Sequence, residues 1–168
     1  VTDRPPRYQK PGWFTRRVLN PAVAGLTRAG LSVRGSRLLE VRGRQSGLPR
    51  RTPVNLLELD GRQYLVSPRG QTQWVRNLRA DAGRLVLIRG RRRCARVATE
   101  LPDGRKPPVL RAYLRRWHRE VGVFFDGVGP ETSDEELLQV APDHPVFLLS
   151  APEGLLDTPH GPSPAGAP

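Results

Sequence analysis

RTPVNLLELDGRQYLVS, residues 51 to 67, is the stretch that decides how this chain folds. Short apolar runs flank Asp60-Gly61, a dipeptide suited to a two-residue hairpin because both turn positions require positive φ. It predicts two antiparallel strands, at 51–59 and 62–67, rather than a helix. Outward from this hairpin the same punctuation continues, with candidate strands at 37–43, 84–90 and 92–100 and a final strand in HPVFLLS, residues 144–150. Arg89-Gly90-Arg91 reads as a weaker second hairpin. Leu85-Val86-Leu87-Ile88 is apolar on both faces, which predicts a central, covered strand.

Helical periodicity fills the spaces between the strands. Two short helices are predicted at 13–19 and 21–29, the second capped by Asn20, entered through Pro21 and ended by Gly30. Another is predicted at 73–80, where Trp74 and Leu78 recur at helical spacing. Val109, Leu110, Tyr113, Leu114, Trp117 and Val121 form one apolar stripe, with Arg111, Arg115, Arg116 and Arg119 on the opposite face. Ser133 and Glu136 have the spacing of a capping box for a last short helix. Six mostly antiparallel strands with helices before, between and after them point to a closed or split β-barrel of the mainly β (α+β) class, because closure removes exposed sheet edges. The expected layout is one domain over 13–150. Residues 1–12, rich in proline, form a flexible N-terminus, and the Gly- and Pro-rich residues 151–168 form a disordered tail.

The charge is lopsided: 28 Lys plus Arg face 16 Asp plus Glu, for a net charge of +12, which predicts an anionic partner. All of the basic residues except Lys10 and Lys106 are arginine, a skew that a high-GC genome produces unaided, so the excess is part codon bias and part chemistry. The absence of methionine agrees if Val1 is a GTG start codon read literally. A single cysteine, Cys94, excludes an intramolecular disulfide framework, and no secretory pattern opens the chain, so a reducing cytoplasm is the expected compartment. No apolar run approaches the ~20 residues of a membrane-spanning helix.

The segment with the most chemistry is GRQSGLPRRTP, residues 43–53. Gly43 and Gly47 allow a tight turn whose backbone N–H groups can converge on one concavity, a nest suited to phosphate oxygens. Ser46 adds a hydroxyl, Arg44, Arg50 and Arg51 add charge-assisted donors, and Gln45 and Pro53 belong to the same stretch. A glycine-rich hairpin that merely carries surface arginines would look the same. The second segment is SPRGQTQWVRNLR, residues 67–79, in which a strand ends, a loop with Gly70 follows, and a helix presents Trp74 and Asn77 three apart on one face. An indole and an amide beside an anion nest suit a planar, hydrogen-bonding heterocycle, although Trp74 in the core and Asn77 on the helix surface is the plainer arrangement.

Together these segments resemble the deazaflavin-dependent oxidoreductases, the F420-dependent nitroreductases and quinone reductases. That family has a G-R-x-S-G-x-x-R hairpin, a D-G turn, a serine with a basic residue and glycine, and then W-x-x-N-L. Gly43 to Arg50, Asp60-Gly61, Ser67 with Arg69-Gly70, and Trp74 to Leu78 match these in order. The resemblance spans roughly residues 30 to 150. It implies a split β-barrel of the kind that binds flavin mononucleotide, with reduced coenzyme F420 as cofactor and FMN as the alternative. It places Ser46, Gly47, Arg50 and Arg51 at the phosphate end, Ser67, Arg69 and Gly70 along the cofactor, and Trp74 and Asn77 at the ring, with Arg44, Gln45 and Pro53 as further cofactor-binding residues. It further implies hydride transfer to a small-molecule acceptor, a quinone, nitro compound or activated alkene; Trp117, Phe124 and Phe125 are the candidates for the apolar wall of its pocket, with plain core packing the expected role of at least one of them. Tyr113 is the candidate proton donor. The best-known nitroreductases of the family use C-terminal tyrosines where this chain has Tyr113 and phenylalanines, so acceptor specificity does not carry over.

Competing readings have less behind them. His118, His144, His160 and Cys94 lack ligand spacing, so no metal site is expected, and no serine or cysteine is paired with a histidine as a nucleophile would be. A nucleic-acid module would interleave its basic residues with exposed aromatics, which is not evident. A non-catalytic lipid or cofactor carrier on the same barrel is the third reading, and the intact hairpin from Gly43 to Arg50 favours the cofactor over it. Residues 13–29, with Trp13, Phe14, Val18 and Leu26 beside Arg16, Arg17 and Arg28, offer a peripheral membrane contact, with packing against the barrel the plainer role. The chain is expected to be a monomer or a homodimer.

Overall fold

The structure is a computed structural model that describes residues 36–152. The helices expected at 13–29, and with them the membrane contact, the N-terminal segment 1–12, and the tail from 153 onward lie outside the described residues.

Six strands form a closed barrel: β1 (Ser36–Arg42), β2 (Pro49–Leu59), β3 (Arg62–Val66), β4 (Arg84–Arg89), β5 (Arg92–Glu100) and β6 (Val146–Ser150). The order around the barrel is β1-β2-β3-β6-β5-β4, each neighbouring pair is antiparallel, and β4 returns to β1 to complete the circle. The hairpin at Asp60-Gly61 forms as the sequence predicts, with Leu59 opposite Arg62 and φ of 51° and 71° at the two turn residues. At the second hairpin only Gly90 has positive φ, the pattern of a type II′ turn in place of a second Asp-Gly-like one. Three helices accompany the strands: α1 (Gln73–Ala80), α2 (Pro107–Val121) and α3 (Asp134–Val140). The Ser133–Glu136 capping box is present at the start of α3.

Alternation along the strands sorts the apolar residues into two cores, since successive side chains point to opposite faces. One core fills the barrel, with Leu39, Val41, Val54, Leu56, Leu65, Leu85, Leu87, Phe147 and Leu149 inside and Trp74, Val75 and Leu78 of α1 packed among them. The other lies outside, where Leu57, Tyr64, Val66 and Val146 meet the stripe of α2 and Leu137 of α3. The α2 stripe read from the sequence is buried at every position, from Val109 to Val121.

Helix α1 fixes the geometry that matters for function. It leaves β3 through a loop, delivers three side chains to the barrel core, and is returned to β4 by Gly83. Gly83 has φ +76°, and a Cβ there would strike the Ala98 carbonyl, so only glycine permits this close crossing. The exposed edge of α1 is thereby held against the turn between β1 and β2.

Candidate functional site

The turn joining β1 to β2, residues 43–48, is built largely from its own backbone. Gly43 N–H donates to Leu48 O at 2.9 Å and Gly47 N–H donates to Gly43 O at 2.8 Å. Gly47 has φ +68°, while a Cβ on Gly43 would press on Ser46 Oγ and Leu48 O. The sequence expected Gly47 to present its amide to a ligand, but that donor closes the turn instead. The turn amides with no partner among the described residues are those of Gln45 and Ser46. Ser46 Oγ accepts from Leu48 N–H and from Arg50 Nη2, each at 3.4 Å.

Between this turn and α1 lies a cleft of about 680 Å³, lined by turn and β2 residues on one side and by Gln73, Trp74 and Asn77 on the other. Arg44 bridges the two sides. Its backbone N–H reaches Asn77 Oδ1 at 3.3 Å, and its Nη1 donates to Asn77 Oδ1 and to Gln73 Oε1, both at 2.9 Å. Neither Arg44 nor Arg50 has a carboxylate partner among the described residues. The cleft therefore holds two guanidinium groups fixed by neutral groups, together with two uncommitted amides, a donor set matched to phosphate or carboxylate oxygens. Trp74 lines the cleft while most of its indole is buried against Phe147, 5.7 Å between centroids.

Arg51 reaches the edge of this cleft, but its Nε donates to Glu40 Oε2 at 2.6 Å, and Arg93 Nη2 donates to the other oxygen of the same carboxylate at 2.5 Å. Glu40 stands opposite Arg51 in the β1–β2 ladder and is buried. Burial alone would raise its pKa, but the hydrogen bonds and charges of Arg51 and Arg93 prevail and hold the carboxyl below its usual value.

Several residues expected in the site do not line this cleft. Ser67 is fully buried and spends its hydroxyl on Gly70 O at 2.7 Å, and Gly70, with φ +73°, shapes that loop. Arg69 stacks over Phe124 at 5.2 Å. These residues support the approach to α1 and do not line the cleft. Pro53 pairs with Leu38 further along the ladder, and Gly47 faces a second, smaller groove with Arg42 and Val86. Of the three wall candidates, Trp117 and Phe125 are buried in the outer core, where Phe125 stacks on His144 at 3.9 Å, and Phe124 packs against the edge of that core. Tyr113 sits beside Trp117, 4.9 Å between centroids. Burial raises the pKa of its phenol, and the hydrogen bond with Asn55 offsets this only in part. The phenol is buried, keeps its proton and does not line the cleft. Conversely, Gly43, Pro49, Thr52 and Gln73 line the cleft without having been assigned to it. Strand alternation places Thr52 on the face of Arg50, a signal available from the sequence. For Gln73, none was available before the helix was placed.

The model of the F420H(2)-dependent quinone reductase family matches residues 12–123 of the chain. No curated protein sequence matches it. Among solved structures, one described as an F420-H2 dependent reductase (FDR-A) is 18% identical over 70% of this chain and 95% of its own, with a TM-score of 0.49. A structure described as a domain-swapped dimer is 18% identical over 81% of this chain and 93% of its own, with a TM-score of 0.52. A protein of unknown function from Agrobacterium tumefaciens is 19% identical, with 88% of this chain and 59% of that one covered and a TM-score of 0.50. The last two likenesses support the barrel fold.

Proposed function

Because the chain belongs to the F420H(2)-dependent quinone reductase family, and is thus an F420-dependent oxidoreductase, we propose that the cleft between the β1–β2 turn and α1 is where it holds the coenzyme. One observation carries this reading: Arg44 and Arg50 are oriented into a single cleft by neutral partners and keep their charge for a ligand. The anionic end of the cofactor is assigned to Arg44, Arg50, Ser46 and the Gln45 and Ser46 amides, with Arg51 contributing from the edge. Trp74 flanks the ring with the exposed part of its indole.

When bound, the reduced deazaflavin would supply a hydride, and the proposed acceptor is a quinone, with nitro compounds and activated alkenes as further candidates. The protein's part is to orient and to exclude water. Tyr113 keeps its proton inside the outer core and is not assigned a transfer step. Because one solved likeness is described as a domain-swapped dimer, a homodimer is the assembly proposed, and light scattering on the purified protein tests it.

Titration with F420 and with FMN, followed by tryptophan fluorescence and calorimetry, is the direct test. Saturable binding of F420 that exceeds that of FMN, with turnover of a soluble quinone by the reduced form, is the expected result. Binding of FMN alone, or of neither, overturns the proposal.

A further inference from the structure

Six guanidinium groups illustrate the contrast from which this inference comes. Arg51, Arg79, Arg84, Arg93 and Arg111 each meet a carboxylate, from Glu40, Glu100, Asp81, Glu40 and Asp134 respectively. Arg44 instead meets two side-chain amides, those of Asn77 and Gln73. An amide oxygen and a carboxylate oxygen accept the same hydrogen bond with nearly the same geometry, but only the carboxylate cancels the arginine's charge. Asn77 is 6% exposed and Gln73 is exposed, so the pair reaches Arg44 from both the buried and the open side of α1.

We propose that Asn77 and Gln73 are positioning residues that form a neutral clamp, fixing Arg44 over the cleft while leaving its charge undiminished for the ligand. Asn77 thereby acts through Arg44, and through the Arg44 backbone N–H it also ties the β1–β2 turn to α1. The role differs from contact with the cofactor ring, which its place beside Trp74 suggested. It rests on reading the cleft as the coenzyme's anion site.

The test uses the full-length chain and F420 itself, with dissociation constants measured by calorimetry and fluorescence at low and high salt. Asn77→Asp and Gln73→Glu preserve size and an acceptor oxygen but neutralise Arg44. Each is expected to weaken F420 binding by roughly 10-fold or more, the scale of a charge-assisted hydrogen bond, and to flatten the salt dependence because one cation no longer acts on the ligand. Gln73→Glu changes an exposed position, so its result stands even where Asn77→Asp lowers stability. Asn77→Ala and Gln73→Ala, which release the guanidinium without adding charge, should weaken binding in the parent and add little further loss in an Arg44→Gln background, as expected when two residues act through a third. Wild-type affinity and salt slope in Asn77→Asp and Gln73→Glu, or full additivity of the alanine substitutions with Arg44→Gln, overturn the clamp. Failure of the unmodified protein to bind F420 overturns the reading of the cleft instead, so the two failures are distinguishable.

Discussion

Arg50 and Arg51 are consecutive residues of one strand with opposite circumstances. Arg50 leans on the Ser46 hydroxyl beside the open cleft, whereas Arg51 is bound to a buried carboxylate that it shares with Arg93. A strand places neighbouring side chains on opposite faces of the sheet, so a single step along the chain separates a cation available to a ligand from one engaged within the protein. Counting arginines in a motif therefore overstates the charge that a ligand meets. What matters is the partner each one already has.

The contrast can be broken experimentally, most forcefully at the cleft. Arg44→Gln and Arg50→Gln should each weaken F420 binding by roughly 10- to 100-fold, the range of hydrogen bonds to charged groups. Arg51→Gln should cost less than either, and Arg93→Gln should leave the dissociation constant within about twofold, because a carboxylate already screens it. Equal losses at Arg50 and Arg93, measured by calorimetry at one salt concentration, would contradict the division into free and engaged cations.

A smaller effect is expected in the outer core. Tyr113→Phe removes the hydroxyl that meets Asn55 and should lower stability by about 1 kcal/mol while quinone turnover is unchanged. Urea titration and steady-state rates check the two halves, and a fall in turnover without loss of stability would return Tyr113 to the chemistry.

The least effect concerns Glu40. Its pKa in the folded protein lies below its ordinary value, so its contribution to stability is present above the unfolded carboxylate pKa and is lost as pH falls through the folded one. Both arginine partners are nearly half exposed, 42% and 49%, which limits the contribution to about 1 kcal/mol or less. Glu40→Gln should therefore be slightly less stable than the parent at neutral pH, with the gap closing in acid. Urea midpoints that stay equally far apart at both pH values would remove Glu40 as the source.

Much of the fold was legible because its signals are local. Asp60-Gly61, the apolar run at 85–88, the stripe from Val109 to Val121 and the Ser133–Glu136 box each act over a few residues, and each appears in the structure close to its expected place. The site was legible in part. The turn at 43–48 and the W-x-x-N segment do meet across one cleft, as the resemblance implies. Ser67, Arg69 and Gly70 belong to the same sequence signature yet do not line that cleft, and the spacing of a motif does not distinguish a ligand contact from the support behind it. Trp117 and Phe125 were ambiguous for a related reason: apolar aromatics suit a substrate wall and a packed core equally well, and the position of α2 against the outside of the barrel puts both in the core.

The chain by itself determined its strands, its hairpins and the concentration of arginine near one glycine-rich turn, since hydrophobic period and turn chemistry operate between near neighbours. Tertiary packing decided the rest: that Arg44 meets amides 29 and 33 residues away on α1, and that Glu40 engages Arg51 across the β1–β2 ladder, 11 residues away, and Arg93 on β5, 53 residues away. Those pairings set which charges remain for a ligand, and they exist only once distant segments are brought within hydrogen-bonding distance, where the strength of an ionic contact depends on separation and burial rather than on order along the chain.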